Sequence, residues 1–234
     1  MIPLKDDNPT SGRSTVTYFI IGLCVLVFLM QLGSQSYKTG QLFFSYGLIP
    51  SVLMGHDQLP IDLYVIPAYV TIFTSMFMHG GFMHLIGNML YMWIFADNIE
   101  DNLGTINFII FYFLSGIGAA MAQVLMDTHS QVPMIGASGA IGGVLGAYLI
   151  NHPNARVHVL IPIGFFLIRQ KIRALYVLGF WFILQFINSS MMSSQDGGVA
   201  YAAHIGGFVS GVILILFFNK KVKRKTKVIK GPWG

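Results

Sequence analysis

Six stretches of this chain contain no Lys, Arg, Asp or Glu: residues 16–32, 82–96, 105–126, 135–150, 175–187 and 199–218. Apolar runs of that length and number fix the solvent before they fix the fold, because a hydrocarbon-spanning helix needs ~20 such residues. With 54% hydrophobic and 10% charged residues overall, the chain reads as an integral membrane protein. The fifth span is the least distinct. Residues 157–167 are also apolar and, with Pro162 and Gly164, read as an interfacial or re-entrant segment ahead of Arg169-Gln-Lys171-Ile-Arg173. The first 14 residues are polar and lack the apolar core of a signal peptide.

The basic residues orient the spans. With both termini inside, 13 of the 14 lysines and arginines fall on the inner side and Lys38 alone on the outer. That is the positive-inside pattern of a multi-pass cell-membrane protein. The net charge of +5 therefore reflects topology, not nucleic-acid binding. The expected organisation is a cytoplasmic tail over 1–15, a six-helix domain over 16–218 and a basic cytoplasmic tail over 219–234, facing anionic lipid heads. The connection over 33–81 is too apolar and aromatic for a solvated loop, and Pro50, Pro60 and Pro67 divide it. It is expected to lie in the outer leaflet against the helices. The lone Cys24 has no partner within the chain for a disulfide.

Within the fourth span, Gly136-Ala-Ser138-Gly-Ala-Ile-Gly142-Gly143 sets a serine among small residues. Gly139/Gly143 and Gly142/Gly146 are small-xxx-small pairs, so helix packing alone is one explanation. The pattern is not the strand-to-helix elbow of soluble hydrolases, since no strand precedes it. Two other spans carry polar residues that packing explains less well. His84 and Asn88 lie four apart on one face of the second span; an interhelical hydrogen bond or a chemical task would account for them. His204 shares a stripe with Gly207 and Gly211 on the sixth. Counted from Pro133 and Gly197, Ser138 and His204 each lie roughly 8–10 Å below the outer helix ends. Three helices thus bring Ser, His and a His/Asn pair to one level.

With His84-x-x-x-Asn88, Gly136-x-Ser138-Gly139 and Ala203-His204-x-x-Gly207-x-x-x-Gly211 in this order, the chain resembles the rhomboid family of intramembrane serine proteases over about residues 69–218. The resemblance implies an all-α membrane protein, a six-transmembrane-helix bundle with a long membrane-embedded first outer loop, enclosing a Ser–His dyad. Two positions depart from the family pattern. Tyr69-Val-Thr71 stands where many bacterial members carry Trp-Arg, and Gly142 where some carry an aromatic residue stacked on the histidine.

The implied chemistry is peptide hydrolysis. Ser138 attacks the carbonyl, and His204 takes its proton and returns it to the leaving amine. The Ser138 N–H, His84 and Asn88 stabilise the oxyanion. No Asp or Glu lies in the outer halves of the spans, so packing against the Gly142 face is expected to hold the imidazole. No cofactor or metal is required. Single-pass membrane proteins cut near their outer boundary are the expected partners, with a helix-weakening residue and a small side chain before the scissile bond, since Gly136, Ala137, Gly139 and Gly142 surround the serine. A transporter is disfavoured by the lack of repeats, and a zinc protease by the lack of HExxH. The alternative is an inactive rhomboid-like protein that binds membrane helices.

Overall fold

The computed structural model describes residues 1–10, 12, 14–34, 36–191 and 200–219. The basic tail over 220–234 and the start of the sixth span at Val199 lie outside the described residues, as does the Gly197 used to reckon depth. Helices α1 (Thr15–Gly33), α6 (Thr105–Met126), α8 (Ala174–Met191) and α9 (Tyr201–Asn219) are long and apolar enough to cross a membrane. Helix α5 (Phe82–Leu103) has the length, but its C-terminal end carries Asp97, Glu100 and Asp101. Helix α7 (Ser138–Asn151) is shorter and sits at the centre, with every residue from Gly139 to Tyr148 buried.

Glycine decides how α7 packs. A Cβ at Gly142 would stand 2.9 Å from the His204 carbonyl oxygen. At Gly146, Gly207 or Gly211 it would strike backbone of the facing helix outright. The α7 and α9 backbones therefore touch along a seam that only glycine permits.

At the start of α1, the buried Glu100 carboxylate of α5 accepts from the Val16 and Thr17 N–H groups (2.9 and 2.8 Å) and from Thr17 Oγ1 (2.8 Å). These amides belong to the first turn of α1 and have no intrahelical partner, so the carboxylate both caps the helix and meets its positive end.

The all-α expectation needs correction. A three-stranded antiparallel sheet, β1 (Ile2–Asp6), β2 (Arg156–Ile163) and β3 (Phe166–Arg173), forms in the order β1-β2-β3 at the end of the molecule that holds the start of α8. The segment read as interfacial or re-entrant is the β2–β3 hairpin, turning at Gly164 with φ +58°. Residues within the expected cytoplasmic N-terminal tail over 1–15 supply its first strand. The alternation Arg156-Val-His-Val carries the strand period, which the overall apolarity of the stretch hid. Asp6 accepts hydrogen bonds from the Tyr148 hydroxyl of α7 and from Asn98 Nδ2 of α5. Burial pushes its carboxyl above the usual carboxylate range.

The connection between α1 and α5 folds into α2 (Ser36–Tyr46), α3 (Pro50–Leu53), α4 (Thr71–Thr74) and two 3-10 turns, Ala68–Val70 and Ser75–Phe77. It is fastened to the segment ahead of α7. Leu48 and Met134 exchange backbone hydrogen bonds, and the Gly136 N–H donates to the Ser75 carbonyl at 2.8 Å. Gln31 of α1 holds the other end, bonding both the N–H and the carbonyl of His79.

Candidate active site

Ser138 is the first residue of α7, and the backbone reaches it through Gly136 at φ +124°. A side chain at 136 would be strained and would meet the His84 ring at 2.7 Å, so glycine serves both the turn and the approach of the imidazole. The depth of Ser138 is therefore not set by a helix running down from Pro133. Helix α7 does not start near Pro133, and residues 133–137 run irregularly past Leu48 and Ser75.

Ser138 Oγ lies 2.7 Å from His204 Nε2. On the far side of the ring, His204 Nδ1 lies 2.8 Å from Gln185 Oε1 on α8. The Gln185 amide nitrogen donates to the Trp181 carbonyl at 3.3 Å, which leaves its oxygen to face the histidine. That oxygen can only accept, so Nδ1 carries the proton and Nε2 is left to accept from the serine hydroxyl. The Trp181 ring lies alongside the imidazole, with centroids 5.9 Å apart at 31°. Gly142 faces the backbone of α9, not the ring, so the expected packing against Gly142 is replaced by Gln185 and Trp181. Sequence reasoning missed Gln185. Its signal was the one that marked His84 and Asn88, a polar residue inside an uncharged span.

His84 and Asn88 line the same cleft as Ser138 and His204, a space of about 750 Å³. The Gly80 N–H donates to His84 Nδ1 at 3.4 Å, which leaves Nε2 protonated on the side of Gly136. Asn88 is 8% exposed, and its amide nitrogen has no hydrogen-bond partner among the described residues. It makes no hydrogen bond with Ser138. Gly136 and Gly139 line the cleft as expected, together with Gly116, Ala119 and Ala140, whereas Ala137 and Gly142 do not. Among the described residues, no three His, Cys, Asp or Glu side chains gather as a metal site.

Residues 67–221 match the Rhomboid domain. The chain belongs to the rhomboid family. It is 29% identical over 163 residues to mitochondrial Rhomboid protein 1 of Saccharomyces cerevisiae, covering 67% of this chain and 44% of the relative. It is 29% identical over 202 residues to Rhomboid protease GluP of Bacillus subtilis, covering 86% and 34%. Against mitochondrial RHOMBOID-like protein 6 of Arabidopsis thaliana it is 32% identical over 141 residues, covering 60% and 41%. The chain thus spans less than half the length of each of these relatives. Family membership and four apolar helices make it a multi-pass membrane protein, from a family that holds proteases and inactive members alike.

Proposed function

We propose that this rhomboid chain is an intramembrane serine endopeptidase that uses Ser138 and His204 as a dyad. The observation that carries the reading is the chain of contacts from Ser138 Oγ through His204 to Gln185, with the ring nitrogens in the state a general base needs. As Ser138 Oγ bonds to the substrate carbonyl carbon, its proton passes to His204 Nε2. When the C–N bond breaks, that proton goes to the leaving amine. Water then repeats the sequence on the acyl ester, and Ser138 recovers its proton. Throughout, Nδ1–H stays on Gln185, whose carbonyl dipole stands where a triad carries a carboxylate. The first-turn N–H of Ser138, His84 Nε2–H and the unpartnered Asn88 amide are the donors for the oxyanion.

In this reading six helices cross the bilayer, α5 and α7 included, with both termini cytoplasmic and the outer connection seated in the outer leaflet. Exposed Ile61, Tyr64, Val65 and Tyr69 on that connection suit lipid better than water. The 14 residues of α7 extend about 21 Å, against ~30 Å of hydrocarbon. With Asn151 at the inner boundary, Ser138 lies about 9 Å below the outer one. Single-pass substrates are then cut in their outer part, where Gly or Pro loosens the helix. The small residues lining the cleft favour a small side chain before the scissile bond.

The test is cleavage of a transmembrane substrate in liposomes. Wild type is expected to cut near the substrate's outer boundary, Ser138→Ala and His204→Ala to cut at background rate, and a fluorophosphonate to add to Ser138 by intact mass. A wild type that neither cuts nor takes the adduct is the inactive, helix-binding member instead.

A further inference from the structure

The β2–β3 hairpin is two-faced. Cross-strand partners share a face, so the register sets Arg156 with Arg173, His158 with Lys171, and Leu160 with Arg169 on one side. Lys5 of β1 joins them opposite His158. Five exposed cations therefore share this face with a single carboxylate, Asp7, which bonds His158 at 2.6 Å and Lys171 at 3.5 Å. The opposite face is apolar apart from Gln170, which stands opposite Val159. Near the strand ends it is fully buried under the helices through Val157 and Val159. Farther out it runs beyond them, leaving Ile163 56%, Phe166 74% and the turn residue Phe165 104% exposed.

Water is a poor neighbour for such a tip, and the fold says what else is near. Arg173 is followed directly by Ala174, the first residue of the apolar, span-length α8. With no linker, the hairpin starts at the membrane boundary. Its apolar face continues the surface already packed under the helix ends, so it lies on the bilayer side, and the cations lie on the water side. An apolar face with basic residues flanking it is the pattern of an element lying in an interface of anionic lipid, with long side chains reaching the headgroups.

We propose that the β2–β3 hairpin is a membrane anchor that sets Phe165, Phe166 and Ile163 into the inner leaflet while Arg169, Lys171 and Arg173 hold anionic lipid headgroups. The name of the leaflet rests on the orientation proposed above; the insertion does not, nor does it depend on peptidase activity.

The full chain, with Cys24→Ala and Phe165→Cys, is to carry a nitroxide at the tip and be reconstituted in phosphatidylcholine vesicles with and without phosphatidylglycerol. Collisions with oxygen and with a water-soluble nickel chelate, present on both sides, report depth. Asn154→Cys, exposed just before β2, gives the aqueous reference. Insertion predicts a severalfold higher oxygen-to-nickel ratio at 165 than at 154 in phosphatidylglycerol vesicles. The ratio should fall in pure phosphatidylcholine, and fall likewise in the triple variant Arg169→Glu, Lys171→Glu, Arg173→Glu. The lipid exchange uses one protein throughout, so it does not depend on the variant folding. A tip as open to nickel as residue 154 overturns the proposal, and so does a ratio indifferent to lipid charge. Shielding that disappears on dilution into excess lipid also overturns it, and assigns the tip to a second copy of the chain.

Discussion

Helix α7 buries every residue from Gly139 to Tyr148, whereas α8 buries only Ala174, Val177, Leu178 and Gln185. Both helices reach His204, one through Ser138 and the other through Gln185. Ser138 is therefore set on the most enclosed helix, and the side chain that meets the far side of His204 on a loosely covered one. In α7 the same glycines that pack the helix also bring Ser138 to His204, so packing and chemistry are one arrangement. In α8 the three buried apolar residues lie toward the N-terminal end, and Gln185 is the buried contact of its C-terminal half. Outward movement of that half would remove the acceptor from His204 Nδ1.

The largest effect should come from breaking the rigid member of the pair. A leucine at Gly207 or Gly211 would overlap the backbone of Gly139 or Gly143, and backbone cannot step aside as a flexible side chain does. Overpacking of ordinary cores costs about 1–3 kcal/mol, and a clash with backbone stands at or beyond the upper end. Folded yield in detergent and thermal midpoint should both fall sharply. A Gly207→Leu variant with the wild-type midpoint would remove the seam from the account. Leucine at Gly179 of α8, where a Cβ meets nothing, should leave the midpoint almost unchanged.

Next in size is the oxyanion. Asn88→Ala and His84→Ala should lower kcat by about 10²–10³ with little change in KM, because such a donor acts chiefly in the transition state. A change confined to KM would make either residue a binding or packing element.

What could be read beforehand followed from how each feature is encoded. Ser138, His204 and the glycine stripe are local patterns on single helices, so spacing within each helix gave the face that carries them. The sheet is not local: Ile2–Asp6 pairs with residues more than 150 positions away, and nothing in a polar N-terminal stretch announces that partner. Gln185 was visible as a polar residue in an uncharged span, but only the rotation of α8 shows that it meets Nδ1. The start of α7 was misplaced because Ile135 and Gly136 extend the apolar run, while their backbone is committed to Ser75 and the Leu48–Met134 bridge.

Gln185 sharpens the comparison. Gln185→Leu keeps most of the bulk and removes the acceptor, so the imidazole can turn and its neutral tautomer is no longer fixed. A misplaced base can cost about a hundredfold, here expected in kcat with KM nearly constant. Gln185→Glu, which retains an oxygen acceptor, should recover part of the loss. If Gln185 served only as a latch on a moving helix, Gln185→Leu would instead speed cleavage, so the sign of the change separates positioning from latching.

The smallest effect concerns the sheet, which ties the two helices together. Asp6 holds Tyr148 of α7, and β3 leads straight into α8. Burial raises the Asp6 carboxyl, so the folded state holds that proton more tightly than the unfolded chain does. Its stabilising contribution is present below the ordinary carboxylate range and is lost as pH rises through the raised value. Neighbouring Asp7 runs the other way: its bond to His158 lowers it, and its contribution is present at neutral pH and lost as pH falls. Thermal midpoints of wild type, Asp6→Asn and Asp7→Asn between about pH 4 and pH 7 should separate the two. Relative to wild type, Asp6→Asn should gain as pH rises, while Asp7→Asn should lose, each by no more than about 2 °C. Parallel curves for all three proteins would mean that neither carboxylate is linked to folding, and that the sheet holds α7 and α8 by backbone pairing and apolar contact alone.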